Sequence, residues 1–246
     1  MPDVEILVSD NASTDQTQAL LEEFSGRIVP FFQASDLGMC GNWNFLMEKS
    51  RGEFIKLMGD DDALLPGGIK REIAALQSAS DIALVSSARW EGNPPLGQYL
   101  NNPTSWDGIL KQTYPQKVAL TPKQAFREMI FRENIFGTPT SVMFRKSALP
   151  RFPTNWSYAV DWAGWIEALN YGGAIVLPEP NCVFRIHSNN LTKKFLATDQ
   201  DIKEVILLRK ISFDKFAGSY WLRAYLLFVS MYRWARRLVR KLIQQR

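Results

Sequence analysis

The sequence is poor in the side chains that build disulfide frameworks and metal cages. It has two cysteines, Cys40 and Cys182, and one histidine, His187. The cysteines form no CxxC pair, which excludes a zinc ribbon and a disulfide scaffold and fits a reduced cytosolic setting. The GxxxxGK and GxGxxG phosphate-binding loops are also absent. These absences argue against zinc-ribbon proteins, against disulfide-stabilised secreted proteins and against nucleotide-binding enzymes that use either of those glycine-rich loops.

Long hydrophobic runs are absent too. The most apolar stretch, residues 220–232, contains Arg223 and is shorter than the roughly 20 residues that a transmembrane helix needs. The first residues lack the basic region and the apolar run of a signal peptide. We therefore expect neither a signal peptide nor an integral membrane helix.

The charges divide the chain into two parts. The 246 residues carry a net charge of +4, but from Ile202 onward there are eleven Lys and Arg against two Asp and Glu. Residues 1–201 carry 18 basic and 23 acidic side chains, so this part is acidic. We predict a globular domain over residues 1–198, long enough to bury a core of its own, and a basic amphipathic helical tail over residues 199–246.

Short β-rich runs alternate with helical segments along this domain. Strands are predicted at residues 4–8, 28–33, 54–58, 82–86, 141–144, 174–177 and 183–186. Residues 92–122 show no periodicity and predict a long loop or lid. The alternation predicts an α/β fold with a mostly parallel sheet flanked by helices on both faces.

The sharpest chemical feature is the acidic turn, Asp60-Asp61-Asp62, at the end of a predicted strand. Adjacent carboxylates repel one another, so a fold tolerates them best beside cations or backbone donors. Hard oxygen ligands at the carboxyl edge of a sheet suit Mg²⁺ or Mn²⁺ together with substrate phosphates. A solvated turn with one Asp capping the next helix explains the residues equally well.

Four other residues are candidates for the same edge of the sheet. Asp10 and Asn11 follow the first predicted strand and either contact a nucleotide or form an Asx-type turn. Asp161 begins a helix rich in tryptophan and is either an N-cap or a general base in an apolar wall that raises its pKa. His187 leaves a late strand and is either structural, a metal ligand or a phosphate contact.

Taken together, these pieces resemble the family 2 glycosyltransferases with the GT-A fold, from about Pro2 to Thr192. The order and spacing of the motifs are more specific than any one of them. The matching segments are Val8–Asp15, Gly38–Asn44, Arg51–Ile55, Gly59–Asp62, Tyr158–Trp162 and Arg185–His187.

The resemblance implies a role for each candidate. Asp10, Asn11, Asp60 and Asp61 would bind the nucleotide-sugar. Mg²⁺ or Mn²⁺ would be held by Asp61, Asp62 and His187. Asp161 would be the catalytic base, and residues 134–147 would line the acceptor side. Gly59 occupies the first position of the family's DxD-type motif, so Asp60 would substitute for the missing carboxylate.

The function implied is an inverting, metal-dependent transfer of a sugar, of the hexosyltransferase type, from a nucleotide-diphosphate sugar to an acceptor hydroxyl. The acceptor would be a saccharide or a lipid-linked molecule, and the pathway would be bacterial cell-surface polysaccharide assembly. The match begins at what would be the family's second strand, so we expect the usual first strand and helix to be missing. That absence favours the alternative, a non-catalytic GT-A remnant acting as a membrane-surface binding or partner subunit.

The tail has two explanations as well. Its first part, Trp221–Phe228, could dock on the body, whereas the cations of Tyr232–Arg246 cannot be buried unpaired. Aromatic and basic side chains together suit the headgroups of an anionic membrane. No nucleic-acid motif accompanies the charge, so we expect no nucleic-acid partner. We predict a cytoplasmic protein that binds peripherally at the inner face of the membrane. The sequence is compatible with a homo-oligomer as well as with a monomer.

Overall fold

The computed structural model describes residues 4–92, 113–132, 134–187 and 200–216, together with Ala224 and Phe228. Most of the predicted lid and most of the predicted basic tail lie outside the described residues. The strands are β1 (Leu7–Asp10), β2 (Val29–Phe32), β3 (Phe54–Lys56), β4 (Ala63–Leu64), β5 (Ile82–Gly92), β6 (Val118–Leu120), β7 (Val142–Arg145) and β8 (Gly173–Arg185). The α-helices are α1 (Thr17–Glu23), α2 (Gly38–Lys49), α3 (Gly68–Gln77), α4 (Pro122–Arg132), α5 (Val160–Ala168) and α6 (Gln200–Phe216).

A six-stranded sheet forms the centre of the molecule, in the order β3-β7-β5-β8-β4, with β6 also paired to β8. Helices flank this sheet, which confirms the α/β fold class. The prediction of a mostly parallel sheet is corrected in one respect. Only β5 and β8 pair in parallel here, whereas β7, β4 and β6 run antiparallel to their neighbours. Strand–helix alternation implies parallel pairing only where a helix connects strands that are neighbours in the sheet, and β7, β4 and β6 each pair with strands other than the one before them along the chain.

Alternating side chains of the central strands divide the core into two layers. On β5, Leu84 belongs to the large cluster formed with α2, α4, α5 and α6, whereas Val85 belongs to a smaller cluster with α3. Phe144 and Met143 of β7 divide in the same way. This period of two is what a strand buried on both faces requires. The prediction that helices cover both faces is therefore confirmed.

The N-terminal elements β1, α1 and β2, here called the N-terminal unit, contain a small second sheet. Strands β1 and β2 pair in parallel as a two-stranded sheet, from Leu7 opposite Val29 to Asp10 opposite Phe32. Helix α1 contributes no buried residue, and Leu20 on it is 53% exposed. A side-chain hydrogen bond from Asn42 Nδ2 of α2 to the Ser9 carbonyl, 3.2 Å, connects β1 to the rest of the chain.

Two parts of the chain differ from the sequence prediction in detail. The predicted strands at 174–177 and 183–186 are one strand, β8, which stays paired with β5 through register irregularities near Ser87 and Ala88. Helix α6 packs against the body, where Leu208 is 2% exposed in the large core cluster. No helix within the described ranges is both long enough and apolar enough to cross a membrane.

Candidate functional site

Strand ends bring the acidic turn next to the end of β8. The turn follows β3, and its next residues, Ala63 and Leu64, form β4 and pair with Val183 and Cys182 of β8. This antiparallel pairing holds the turn beside the last residues of β8 and His187. Chain segments more than 120 residues apart in sequence meet there, as the contacts of Asp61 and Asp62 show.

Asp61 and His187 are direct partners. The carboxylate oxygen Oδ2 of Asp61 lies 2.8 Å from Nε2 of His187, and both side chains are 34% exposed. A Cβ atom at Gly59 would lie 2.8 Å from Oδ1 of Asp61, closer than real Cβ contacts allow. The glycine in the first position of the motif therefore leaves room for the Asp61 carboxylate.

Asp62 points to a different set of partners. Its Oδ2 accepts a short hydrogen bond from the Thr140 hydroxyl, and its Oδ1 accepts one from the Arg185 backbone N–H at 3.1 Å. Burial raises the pKa of Asp62, and these two hydrogen bonds offset part of that rise. Asp60, by contrast, is exposed. The acidic turn thus presents three carboxylates in three different environments.

Asp10 is held within the N-terminal unit, whereas Asn11 bonds to residues just before α2. Asp10 is 3% exposed and accepts hydrogen bonds from the Ser13 backbone N–H and from Gln18 Nε2, both at 3.2 Å. Hydrogen bonding from Ser13, the largest cause, and from Gln18 lowers the pKa of Asp10. Neither residue hydrogen-bonds to the acidic turn within the part of the chain that the structure describes.

Asn11 connects the end of β1 to the start of α2. Its Nδ2 donates to Asp36 Oδ1 at 2.5 Å, and its Oδ1 accepts from the Leu37 N–H at 2.9 Å. The next residue, Ala12, has a φ of 63°, a left-handed conformation that is uncommon without glycine. The polar side chains of this turn therefore have a structural role in fixing a tight loop at the strand end, beside any contact with a ligand.

Asp161 lies in the first turn of α5 and is half-buried. Its Oδ2 accepts from Asn134 Nδ2 at 2.9 Å, and its Oδ1 accepts from the Trp162 backbone N–H at 2.7 Å. Burial raises the pKa of Asp161 to about 6, although the Trp162 N–H, the charge of Arg89 and the Asn134 amide all lower it. A carboxylate with this pKa is suited to take up a proton near neutral pH.

Asn134 holds Asp161 through a small turn. Besides donating to Asp161, its Nδ2 donates to the Gly137 carbonyl at 3.0 Å, and its Oδ1 accepts from the Gly137 N–H at 3.1 Å. Trp165 Nε1 donates to the same carbonyl at 3.1 Å. Gly137 has a φ of 80°, and a Cβ there would lie 2.2 Å from Nη1 of Arg89. Glycine at this position lets the guanidinium approach the turn.

Arg89 is the main functional candidate that the sequence did not reveal. It is 6% exposed on β5, forms an ion pair with Glu91 at 2.5 Å and lies over the Phe184 ring with its Cζ 5.8 Å from the ring centroid. Its positive charge lowers the pKa of both Asp62 and Asp161. The predicted strand ended at residue 86, so Arg89 lay outside it, and the anionic neighbours that a buried cation needs are brought close only by the fold.

The residues of the acidic turn suit a divalent cation that shares its coordination with phosphate. Asp61 supplies carboxylate oxygen and His187 supplies imidazole nitrogen, with Asp62 next in sequence. Within the described ranges, no group of three or more His, Cys, Asp and Glu forms a complete metal cage. Mg²⁺ is usually held by one or two carboxylates plus substrate phosphates, so a complete cage is not required. The donor set therefore fits Mg²⁺ or Mn²⁺.

Solved structures similar to this chain share its fold. S. aureus TarS 1–349 in complex with UDP-GlcNAc has a TM-score of 0.68 at 17% identity, covering 92% of this chain and 62% of that one. The mannosyltransferase PcManGT from Pyrobaculum calidifontis, in complex with GDP-Man and Mn²⁺, has a TM-score of 0.58 at 16% identity, covering 82% of this chain and 55% of that one. These similarities confirm the GT-A fold that the motifs imply.

Curated relatives match at low identity or over short segments. The uncharacterized protein Mb1547 of Mycobacterium bovis is 22% identical over an alignment 202 residues long, which covers 76% of this chain and 51% of that protein. The chain thus spans about half the length of this relative. The GalNAc(5)-diNAcBac-PP-undecaprenol beta-1,3-glucosyltransferase of Campylobacter jejuni is 38% identical over 71 residues, 27% of this chain and 23% of that protein.

The family profile gives the strongest result. The profile described as glycosyl transferase family 2 matches residues 1–152, more than half of the 246 residues. The matched range contains the end of β1, the acidic turn and the Asn134 turn. Together with the fold and with the motifs found at these strand ends, this match shows that the chain belongs to glycosyl transferase family 2.

Proposed function

We propose that this chain is an inverting glycosyltransferase that moves a sugar from a nucleotide-diphosphate sugar to an acceptor hydroxyl. The observation that carries the proposal is the Asp161 carboxylate, fixed by Asn134 and by the Trp162 N–H, with its pKa raised to about 6. A base with this pKa is largely ionised at neutral pH and still accepts a proton readily. Family membership supplies the reaction class.

The reaction is a single displacement. Asp161 takes the proton of the acceptor hydroxyl while the hydroxyl oxygen forms a bond to the anomeric carbon. The bond from that carbon to the diphosphate oxygen breaks, and the nucleoside diphosphate leaves with the electron pair. Because attack and departure occur on opposite faces, the configuration at the anomeric carbon inverts.

The donor would bind along the edge where the strands end. We assign Asp10, Asn11, Asp60 and Asp61 to this side of the site, since ligands of open α/β sheets bind outside the carboxyl ends of the strands. Two proteins of similar fold, TarS and PcManGT, were solved with UDP-GlcNAc and with GDP-Man respectively, which supports a nucleotide-diphosphate sugar as the donor class.

Asp61 and His187 would hold Mg²⁺ or Mn²⁺, with Asp62 as the neighbouring carboxylate. When bound, such a cation neutralises the charge that develops on a leaving diphosphate. The PcManGT structure contains Mn²⁺, which supports a divalent metal in a protein of this fold. The 34% exposure of both Asp61 and His187 leaves the pair accessible to a ligand from solvent.

The acceptor would be a saccharide or a lipid-linked molecule at a bacterial membrane. The name of the Campylobacter jejuni relative specifies an undecaprenol-linked substrate, which supports a lipid-linked acceptor and a role in cell-surface polysaccharide assembly. The basic side chains of residues 232–246 would attract anionic headgroups. Pelleting with anionic vesicles tests this part: we expect the full chain to pellet and a 230–246 deletion to remain in solution. Equal pelleting of the two would reject membrane binding by the tail.

One observation favours the alternative of a non-catalytic binding or partner subunit. The β1–α1–β2 unit exposes many large apolar side chains, and α1 buries none. They are Val4, Ile6, Leu20, Phe24, Val29 and Phe32. Exposed apolar surface of this kind is typical of an interaction site. Under this alternative the chain would bind a partner through that unit and would transfer no sugar.

Calorimetry and a hydrolysis assay separate the two functions. We expect the full chain to bind UDP or GDP only when Mn²⁺ or Mg²⁺ is present. With water as the acceptor, UDP-GlcNAc or GDP-mannose, both α-linked, should release the β-sugar first, which proton NMR detects before mutarotation. Absence of binding at millimolar nucleotide, with or without metal, would reject the enzyme and favour the partner subunit.

A further inference from the structure

Glu204, on the C-terminal helix α6, makes an unusual set of contacts with the segment that leads into α5. It is 4% exposed. Its Oε1 accepts hydrogen bonds from the Ser157 N–H at 2.8 Å and from the Ser157 hydroxyl at 3.1 Å. Its Oε2 accepts from the N–H groups of Tyr158 at 2.7 Å and Ala159 at 2.9 Å. One carboxylate thus binds three consecutive backbone N–H groups.

These N–H groups lie directly before the helix that carries Asp161. The N-cap of α5 is Ala159, and no side chain of the usual local kind caps this helix. The first turns of a helix leave N–H groups without helical partners, and a negative charge there is favourable. Glu204 supplies an acceptor oxygen for the N–H of the N-cap residue Ala159, and a negative charge, from a position 45 residues later in the sequence. It is therefore a long-range cap.

Helix α6 is itself fixed to the body. Leu208, one turn after Glu204, is 2% exposed in the large core cluster, and Val205 packs against that cluster. Burial raises the pKa of the Cys40 thiol of α2, and the nearby charge of Glu204 adds to that rise. The carboxylate is thus held between α2, α6 and the segment before α5, in a position that packing determines.

We infer that Glu204 is a positioning residue for Asp161, so that α6 is part of the catalytic centre. This inference rests on the proposed function, because it needs Asp161 to be the base. The contacts form a connected path. Glu204 binds the N–H groups of residues 157–159, and this segment sets the start of α5. In the first turn of α5, the Trp162 N–H donates to Asp161 Oδ1 and so orients the carboxylate. Glu204 touches no reacting atom.

The test uses Glu204→Ala and Glu204→Gln in the full chain. Alanine removes all four hydrogen bonds, whereas glutamine keeps one carbonyl oxygen as an acceptor and so rescues part of the cap. Glu167→Gln is the matched control, because Glu167 lies on the same helix α5 and its Oε2 accepts an exposed hydrogen bond from the Arg151 backbone N–H at 3.2 Å, away from Asp161. All variants are compared by circular dichroism, nucleotide affinity, donor hydrolysis and amide hydrogen exchange.

We expect Glu204→Ala to lower kcat for donor hydrolysis by about 100-fold, the effect of displacing a reacting group by roughly 1 Å. The KM for donor and the affinity for UDP or GDP should stay within about twofold, since the donor side does not involve α6. Exchange of the amides at 157–159 and at Trp162 should accelerate. Glu204→Gln should be intermediate, and Glu167→Gln should match the wild type.

Two results would overturn the inference. In the first, amide exchange at 157–159 accelerates in Glu204→Ala while kcat is unchanged, which would make the cap purely structural. In the second, the Trp162 amide keeps its protection when the cap is removed, so that no coupling reaches Asp161. The exchange measurement needs no activity, so it decides the coupling even if the wild-type chain hydrolyses no donor, a result that would instead reject the proposed function.

Discussion

The acidic turn and the Asp161 region both present carboxylates, but they are built in opposite ways. Asp61 is 34% exposed beside His187 and can exchange its partner for a ligand from solvent. Asp161 is half-buried, both of its carboxylate oxygens accept hydrogen bonds from the protein, and burial raises its pKa to about 6. The difference shows how the same side chain serves two chemistries, because a carboxylate paired with a solvent-accessible histidine can bind a cation whereas one with a raised pKa can take up a proton near neutral pH.

The comparison predicts that the two regions can be disabled separately. The largest binding effect should come from Asp61→Asn, which removes the charged oxygen beside His187. We expect the affinity for UDP or GDP in the presence of Mn²⁺ to fall about 100-fold. Titration calorimetry checks this.

Glu53→Gln is the matched control for Asp61→Asn, since the Glu53 side chain is 70% exposed and its partner is Arg145, away from the turn. It should bind nucleotide as the wild type does. If the metal-dependent affinity for nucleotide is unchanged in Asp61→Asn, the acidic turn does not bind the donor through a metal, and the proposed separation of the two regions is wrong.

The next effect concerns pH and the Asp161 region alone. The wild-type rate of donor hydrolysis should fall as the pH drops below about 6, because protonated Asp161 cannot accept the acceptor's proton. This fall in rate is the acid limb of the pH profile. The charge of Arg89 lowers the pKa of Asp161, so Arg89→Met should move the acid limb to higher pH by about one unit.

Arg89→Lys, which keeps the charge, should hold the limb close to its original position. Thermal melts of both variants show whether each is folded before its pH profile is compared. An identical acid limb in a folded Arg89→Met variant would mean that Arg89 has no part in setting the pKa of the base.

A smaller effect is expected from Asn134→Ala. The substitution removes one hydrogen bond to Asp161 but leaves the Trp162 N–H in place. A single bond of this kind contributes about 1 kcal/mol, which corresponds to roughly a fivefold fall in kcat. Nucleotide affinity should not change, and a loss of affinity equal to the loss of kcat would show that Asn134 belongs to the donor side.

Local patterns were sufficient to find most of the candidate residues. Asp10 ends a short β-rich run, the acidic turn interrupts an apolar one, and Asp161 opens a helix with tryptophans on its buried face. Each signal is contained within a few residues of sequence. The α/β class follows from the same alternation, because strand and helix periods differ.

The sequence placed Asn134 and Thr140 only within the range expected to line the acceptor side, and their hydrogen bonds to the candidate carboxylates span long separations along the chain. Thr140 bonds to Asp62, 78 residues earlier, and Asn134 bonds to Asp161, 27 residues later. Neither residue has a local pattern that distinguishes it from an ordinary turn residue. Strands β4 and β6 were missed for a similar reason, since they have two and three residues and become strands only by pairing with β8.

The central claim is that Asp161 removes the acceptor proton while the acidic turn binds the donor. Asp161→Asn tests it most directly, by single-turnover hydrolysis of a bound donor and calorimetry with nucleoside diphosphate on the same preparation. We predict a fall in rate of about 1000-fold, with metal-dependent nucleotide affinity within about twofold of the wild type. A variant that turns over at the wild-type rate, or that loses nucleotide binding in proportion to its activity, would contradict the account.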